Sequence, residues 1–202
     1  LLKDAMGEAD AEDRKHVEVY ELSSSNSKWE LSCLVHKRSL DSVVLRAGQL
    51  DDLLCDVRTF IQDEAWYRER SLPHRRGYLL YGPPGSGKSS CILAVASHFG
   101  LPLCSLSLER LGNKTPLSEA LGSAPPSSVL CIEDIDVAYA SSSNFSRRAN
   151  DDSRQNNNTI VATNPTENAQ SLHELLNAID GVASQDGRLL FLTTNHLDAL
   201  DP

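Results

Sequence analysis

Residues 78–90 read YLLYGPPGSGKSS, in which apolar and aromatic residues lead directly into a glycine-rich loop. The stretch from Gly82 to Ser89 fits the pattern G-x-x-x-x-G-K-[ST] in full. Glycines here let the backbone curl, so that its N–H groups can face phosphate oxygens. A chance Gly/Pro turn carrying a lysine would lack the strand before it and the helical pattern after it. The predicted phosphate site consists of Gly82, Pro83, Pro84, Gly85, Ser86, Gly87, Lys88, Ser89 and Ser90.

Two side chains at the end of this loop have separate chemical roles in a nucleotide site. Lys88 supplies a positive charge for the β and γ phosphates, and the hydroxyl of Ser89 is a ligand for Mg²⁺. The N-terminus of the helix that begins there adds a partial positive charge. ATP and Mg²⁺ are therefore the predicted ligand and metal.

A second motif, VLCIEDID, occupies residues 129–136. Its apolar run predicts a strand that is covered on both faces, with Glu133 and Asp134 at its C-terminal end. Ligands of open parallel sheets bind at that edge. One carboxylate is predicted to contact Mg²⁺, directly or through water, and the other to polarise the attacking water; either assignment is open. The alternative, a plain acidic loop after a buried strand, is disfavoured by the phosphate loop that precedes it.

A third strand pattern ends in Thr193-Thr194-Asn195. An amide at the C-terminal end of that strand is placed to reach the γ-phosphate or the attacking water. The amide is a weak signal by itself, and the two preceding motifs strengthen it. Asn195 is accordingly the third predicted catalytic residue, after Glu133 and Asp134.

Composition limits the classes of protein to consider. The chain has 202 residues, of which 40% are hydrophobic, and a formal net charge of −9, so one sizeable core is expected and a nucleic-acid-binding surface is not. No apolar run approaches the ~18 residues that span a bilayer, and no signal peptide is predicted. The five cysteines include no C-x-x-C, and three lie in apolar segments, which favours reduced core residues.

The periodicity of the chain predicts an α/β fold with a mostly parallel sheet and helices on both faces. Residues 141–170 are polar and rich in Asn and Ser, which predicts a disordered surface insertion. The strands at 17–35 form a hairpin pattern that is too small to be stable alone. Predicted strands are 17–22, 29–35, 77–81, 103–108, 129–132 and 189–194; predicted helices are 49–67, 88–99, 116–121 and 172–179, the last three ending at Gly100, Gly122 and Gly181.

The motifs GPPGSGKS, VLCIEDID and FLTTN, in this order, resemble those of the AAA family of ATPases. Further stretches, KRSLDSVVL, WYRERSLPHRRGYLLYGPPGSGKSS, LLNAIDGVAS and TTNHLDALDP, resemble the mitochondrial inner-membrane branch that assembles respiratory complex III by translocating the folded Rieske protein. The resemblance covers about residues 37–202 apart from the insertion. It implies a three-layer P-loop NTPase (AAA) core in 37–202, incomplete at its C-terminus and without the helical lid, and the end of a family-specific N-terminal β domain in 1–36. It also implies that the strand before the P-loop lacks its outer neighbour.

The resemblance also implies activity, partners and location. It implies ATP hydrolysis that drives chaperone or translocation work on a protein substrate, in a homo-oligomeric ring at the mitochondrial inner membrane with its ATPase domain facing the matrix. Membrane attachment would lie in a segment outside this chain. Folded cargo is favoured over threading, because ERLGNKTP (109–116) lacks the aromatic residue that many AAA unfoldases carry after the second strand.

Carried over by position, Gly82 to Ser90 hold the ATP phosphates, Glu133 and Asp134 take the metal and water-activating positions, and Asn195 matches the polar sensor. Most of the family has Asp then Glu where this chain has Glu then Asp. The chain also ends before the arginine fingers, so hydrolysis by these residues alone is expected to be poor. A nucleotide-binding scaffold with little turnover is the main alternative. A DNA-associated clamp loader fits the motifs, but the net negative charge of the chain disfavours it.

Overall fold

The computed structural model describes residues 15–23, 28–111, 116–136, 172–180 and 187–200. Its strands are β1 (His16–Leu22), β2 (Trp29–His36), β3 (Arg75–Tyr81), β4 (Leu103–Ser107), β5 (Val129–Glu133) and β6 (Arg188–Thr194). They form one sheet in the order β2-β1-β4-β5-β6-β3. The β1–β2 pair is antiparallel and the other neighbours are parallel, which confirms the predicted α/β class.

The helices are α1 (Gln49–Gln62), α2 (Glu64–Glu69), α3 (Lys88–Phe99), α4 (Leu108–Leu111), α5 (Leu117–Ser123) and α6 (Leu172–Asp180), with short 3-10 turns at Leu40–Ser42 and Leu197–Ala199. Within the described ranges, none of the helices has the length and apolar character needed to cross a membrane.

Two apolar clusters cover the two faces of the sheet. Along β5, Val129 and Cys131 belong to one cluster and Leu130 and Ile132 to the other, because successive side chains of a strand point to opposite faces. The first cluster is completed by α1 and α3, and the second by α5 and α6. The carboxyl ends of β3, β5 and β6 are therefore held at one edge of a sheet that is packed on both sides.

Helix α3 follows the phosphate loop and is bounded by glycines. It begins after Gly87 (φ +90°) and ends at Gly100 (φ +65°), whose N–H donates to the carbonyl of Ala96. Glycine adopts this left-handed conformation at little cost, so the predicted end at Gly100 is confirmed. Ile92, Val95 and Ala96 of α3 are buried in the first apolar cluster, which also contains residues of β5 and β6. This packing holds α3 against the sheet and so helps to position the loop before it.

Several strand boundaries lie one or two residues from their predicted positions, as at Arg75, where β3 begins instead of at Gly77, and three further predictions are wrong. The helix predicted over 49–67 is interrupted at Asp63, and the bend lets Tyr67 of α2 pack edge-on against Phe60 of α1, with ring centroids 6.1 Å apart. Helix α5 continues through Gly122. It ends at Ser123 because the next residue, Ala124, precedes Pro125 and is held in an extended conformation. Leu108 begins α4 instead of ending β4.

The predictions for Gly181 and for residues 141–170 fall outside the described residues.

The N-terminal hairpin extends the sheet. Strand β1 pairs in parallel with β4 from Val19–Leu103 to Glu21–Ser105. Trp29 of β2 donates its indole N–H to the carbonyl of Ala120 on α5, at 3.0 Å. These contacts join the hairpin to the second apolar cluster.

Strand β3 lies at the opposite edge of the described sheet. Its neighbour there is β6, with pairs running from Arg75–Arg188 to Tyr81–Thr194. Leu79 is 41% exposed and Tyr81 is 59% exposed. The prediction that the strand before the P-loop has one open side is confirmed for the described strands.

Candidate functional site

The three predicted motifs meet at one edge of the sheet. The glycine-rich loop follows β3, Glu133 and Asp134 lie at the end of β5, and Asn195 follows β6. Because β3, β6 and β5 are consecutive parallel strands, their carboxyl ends lie side by side. Between them is a pocket of about 350 Å³, lined by Pro84, Gly85, Gly87, Lys88, Ser89, Ser90, Glu133, Asp134, Thr193 and Asn195.

Most of the predicted site residues therefore line one pocket. The other three predicted loop residues, Gly82, Pro83 and Ser86, are not among its lining residues. Two of these contribute backbone carbonyls to the loop, since Gly82 and Pro83 accept hydrogen bonds from Lys88. The backbone N–H of Ser86 donates to the carbonyl of Pro83 at 3.2 Å, which closes the turn.

Two loop glycines are required for different reasons. Gly82 has φ +147°, and a Cβ there would lie 3.2 Å from the Oγ of Ser86, so the position is limited by both conformation and space. Gly85 has φ +77° with open space around it, so its requirement is conformational alone. The loop thus depends on glycine for its shape even where no side chain would clash.

One asparagine side chain joins the basic and acidic parts of the pocket. The Lys88 ammonium donates to Asn195 Oδ1 at 2.7 Å and to the Gly82 carbonyl at 2.8 Å. The Nδ2 of Asn195 donates to Asp134 Oδ1 at 3.0 Å. The amide orientation is fixed by chemistry, because its oxygen must face a cation and its NH₂ a carboxylate. The hydrogen bonds from Lys88 to Asn195 and from Asn195 to Asp134 therefore link the start of α3, directly after the phosphate loop, to the ends of β6 and β5.

Thr193 is a site residue that the sequence reasoning missed. It is 2% exposed, lines the pocket, and its Oγ1 accepts the backbone N–H of Asp134 at 3.0 Å. Asp134 has φ +48°, a conformation that non-glycine residues adopt rarely. The hydroxyl therefore holds a strained residue in place. The signal in the sequence is the position of Thr193 two residues before Asn195 in the third motif.

Asp136 is a second residue that was missed. It is 4% exposed, and its Oδ1 accepts the backbone N–H of Asn195 at 3.2 Å. The last acid of VLCIEDID is the signal that points to it. In the sequence, Asp136 follows two other acidic residues and would be interpreted as a solvated loop residue. Its burial is seen only in the structure.

Burial keeps the core cysteine thiols protonated. Cys91, Cys104 and Cys131 are free and buried, as predicted for three of the five, whereas Cys33 and Cys55 are exposed. Burial raises the pKa of Cys131 strongly, and the nearby carboxylates of Glu133 and Asp134 raise it further. This thiol of the first apolar cluster is consequently neutral and unreactive at ordinary pH.

The oxygen donors of the pocket suit Mg²⁺. Its lining includes the Ser89 hydroxyl and the carboxylates of Glu133 and Asp134. In the described part of the chain, no group of three or more His, Cys, Asp or Glu side chains is placed to hold a metal ion. Mg²⁺ is commonly held by one or two carboxylates together with substrate phosphates, so this donor set fits an ion shared with a nucleotide.

Comparison with protein families gives one match that covers more than half of the chain. The model described as "ATPase family associated with various cellular activities (AAA)" matches residues 78–202. This range contains the P-loop, the acidic strand and Asn195.

Curated relatives resemble a larger part of the chain. It is 43% identical to the probable mitochondrial chaperone BCS1-A of Dictyostelium discoideum, over 100% of this chain and 45% of that protein. It is 40% identical to the mitochondrial chaperone BCS1 of Homo sapiens, over 82% of this chain and 37% of that protein. An AAA-ATPase of Arabidopsis thaliana is 34% identical, over 93% of this chain and 40% of that protein. The chain thus spans less than half the length of these relatives.

Proposed function

Because this chain belongs to the AAA family of ATPases, we propose that its pocket binds ATP with Mg²⁺ and hydrolyses ATP to ADP and inorganic phosphate. The proposal depends above all on one observation. A single amide, Asn195, bridges the P-loop lysine and an acidic strand end, at 2.7 Å from Lys88 and 3.0 Å from Asp134. A loop that only held phosphate would have no need of a carboxylate in this position.

Each part of the pocket has a role in the proposed reaction. The backbone N–H groups of the loop and the ammonium of Lys88 bind the β and γ phosphates. The Ser89 hydroxyl, with Glu133 or Asp134, would hold Mg²⁺, which neutralises phosphate charge when bound. Asn195 orients the attacking water or the γ-phosphate.

The reaction itself needs a group that accepts a proton. The water oxygen forms a bond to the γ-phosphorus while the bond from that phosphorus to the β–γ bridging oxygen breaks, and ADP leaves with the bond's electron pair. The water proton passes to a carboxylate or to phosphate. Asp134 is the stronger candidate in this geometry, because its carboxylate is in direct contact with Asn195. An arginine from a neighbouring subunit would stabilise the charge on the transferred group.

At the level of the whole protein, we propose chaperone or translocation work on a folded protein substrate by a homo-oligomeric ring at the mitochondrial inner membrane, facing the matrix. The Dictyostelium and human relatives, which are named as mitochondrial chaperones, support this proposal. The assembly of respiratory complex III is the specific process proposed. Residues 1–36 are proposed to be the end of an N-terminal family-specific domain, and 37–202 the ATPase core.

The test is ATP turnover by the full-length protein beside its Asp134→Asn variant. The substitution removes the charge but retains an oxygen that can accept from Asn195, so the local geometry should persist. Turnover is expected to fall by roughly 10²-fold or more, the usual contribution of a general base. Asp52→Asn, an exposed acid on α1, is the matched control and should retain the wild-type rate.

A nucleotide-binding scaffold is the competing function. It predicts tight ATP binding with equal, near-zero turnover in the wild-type protein and in Asp134→Asn. That result would refute the hydrolysis proposal and leave the binding proposal standing. Loss of ATP binding in the wild-type protein would refute both.

A further inference from the structure

The backbone ladder between β5 and β6 ends just before the pocket begins. Its last pair is Ile132 with Leu192. Beyond that pair, Asp136 accepts the backbone N–H of Asn195 at 3.2 Å and so continues the connection between the two strand ends. A side chain thus replaces the missing backbone bonds where the functional residues start.

A second hydrogen bond joins the same two strand ends in the opposite direction. The backbone N–H of Asp134, after β5, donates to the Thr193 hydroxyl on β6 at 3.0 Å. The N–H of Asn195, after β6, donates in the opposite direction to Asp136, after β5. Two bonds in opposite directions fix the spacing of the two segments better than either would alone.

Asp136 acts from outside the pocket. It is 4% exposed and is not one of the described residues that line the cavity, so it is not positioned to contact a nucleotide. A buried carboxylate must be compensated by hydrogen bonds. Its contact with the Asn195 backbone is therefore a strong restraint on where that residue lies.

We propose that Asp136 is a positioning residue for ATP hydrolysis, acting through Asn195. It holds the Asn195 backbone so that the side chain reaches Lys88 and Asp134 together, at 2.7 and 3.0 Å. This inference rests on the proposed hydrolysis at this pocket. A shift of about 1 Å in a positioned group can lower a rate by roughly 10²-fold.

Nucleotide affinity should be much less sensitive to Asp136. The phosphate loop is connected to β6 at another point, where the Gly82 N–H donates to the Thr194 carbonyl at 3.3 Å. The ladder between β3 and β6 also extends to Tyr81–Thr194. Loss of the Asp136 bond leaves these contacts intact, so a role in positioning predicts a fall in kcat with little change in KM.

The experiment compares full-length variants that keep or remove the acceptor oxygen. Asp136→Leu and Asp136→Ala remove it, whereas Asp136→Asn keeps it. We expect the first two to lower kcat about tenfold or more with KM within about threefold, and Asp136→Asn to restore most of the rate. Asp198→Leu, which changes an exposed acid in the same segment, is the control. An equal fall in affinity and turnover, or no fall at all, would overturn the inference.

A second measurement does not depend on turnover. Hydrogen–deuterium exchange over residues 193–196 of the full-length protein reports on the Asn195 N–H. Exchange should be faster in Asp136→Leu and Asp136→Ala than in the wild-type protein and Asp136→Asn. Equal exchange in all four would overturn the inference. A wild-type protein with no ATP turnover would instead refute the proposed function, and faster exchange would still show that Asp136 holds Asn195.

Discussion

At the scale of single residues, Asn195 is the point at which the phosphate loop meets the acidic strand. An amide is the side chain that can accept from a lysine with one atom and donate to a carboxylate with the other. In this chain both bonds are made, to Lys88 and to Asp134. An isosteric carboxylate at this position would be able to make the first bond but not the second.

Asn195→Asp should therefore impair both binding and turnover. The new carboxylate would face Asp134 at about the present 3.0 Å separation, and it would hold the Lys88 ammonium more tightly, away from phosphate. We expect nucleotide affinity to fall about tenfold, equivalent to ~1.4 kcal/mol, and turnover to fall further. Equilibrium binding of a fluorescent ATP analogue and phosphate release measure the two effects. Unchanged affinity would contradict this account of the Lys88 contact.

Thr193→Val tests the strained conformation of Asp134. Valine keeps the shape of threonine but removes the oxygen that accepts the Asp134 N–H. The loss of one such bond should lower the free energy of unfolding by about 1 kcal/mol. Urea denaturation of the wild-type protein, Thr193→Val and Thr193→Ser measures it. The serine variant keeps the hydroxyl, and if it were as unstable as the valine variant, packing and not the hydrogen bond would be responsible.

The contrast between Asn195 and Asp136 shows what the sequence could supply at this scale. Asn195 follows a recognisable strand in the third of three ordered motifs, so its place at the pocket could be predicted. Asp136 and Thr193 make their contacts across two strands that are far apart in the sequence. Such contacts depend on register between strands, which local patterns do not specify.

At the scale of elements, a cluster of three polar side chains fastens α1 to the edge strand β3. Asp56 of α1 accepts from the Arg76 guanidinium, including its Nε at 2.8 Å, and from the Tyr78 hydroxyl at 2.7 Å. The hydrogen bond from Arg76 lowers the pKa of Asp56, against an opposing effect of burial. Burial and the neighbouring Asp56 raise the pKa of Tyr78, so it remains a phenol donor.

Asp56→Asn should destabilise the fold in a pH-dependent way. Because the folded pKa of Asp56 lies below its unfolded value of about 3.9, its contribution is present above that value and is lost as the pH falls through the folded pKa. The pair is partly exposed, with side-chain exposures of 44% and 35%, so about 0.5–1 kcal/mol is expected at pH 7. Denaturation of the wild-type protein and Asp56→Asn at pH 7 and below pH 4 measures the effect. The difference between their free energies of unfolding should be smaller at the lower pH. A difference that is independent of pH would contradict the ion-pair explanation.

Secondary structure was predictable where a glycine in the left-handed conformation ends a helix or where a strand is uniformly apolar, whereas Gly122, which is not among the glycines with positive φ, did not end α5. Gly100 ends α3 as expected, and β5 lies where its apolar run places it. The interruption at Asp63 was missed because apolar residues continue on both sides of it. The pairing of β1 with β4 was missed for another reason, since it joins residues about eighty positions apart.

At the scale of the whole molecule, nucleotide binding should stabilise the fold that builds the site. Loop, acid and amide come from three strands, so a ligand that contacts all three binds the folded state alone. With ATP at 100 times its Kd and excess Mg²⁺, the folded state should gain about 2.7 kcal/mol. Thermal unfolding with and without nucleotide measures this gain. Lys88→Ala should lose most of it, whereas Lys37→Ala, at an exposed lysine outside the pocket, should keep it.

The position of β3 at the edge of the described sheet has a mechanical consequence. The strand that carries the phosphate loop is supported along one side, by β6, and Asn195 is attached to the end of the same support. A displacement of β6 would carry the loop and the amide together and leave their separation unchanged. The end of β5 is joined to β6 in the same region by the Asp134–Thr193 and Asn195–Asp136 hydrogen bonds, so the Asp134 carboxylate would follow as well. Within the described sheet, a force applied to β6 is therefore transmitted to the loop, the amide and the carboxylate together.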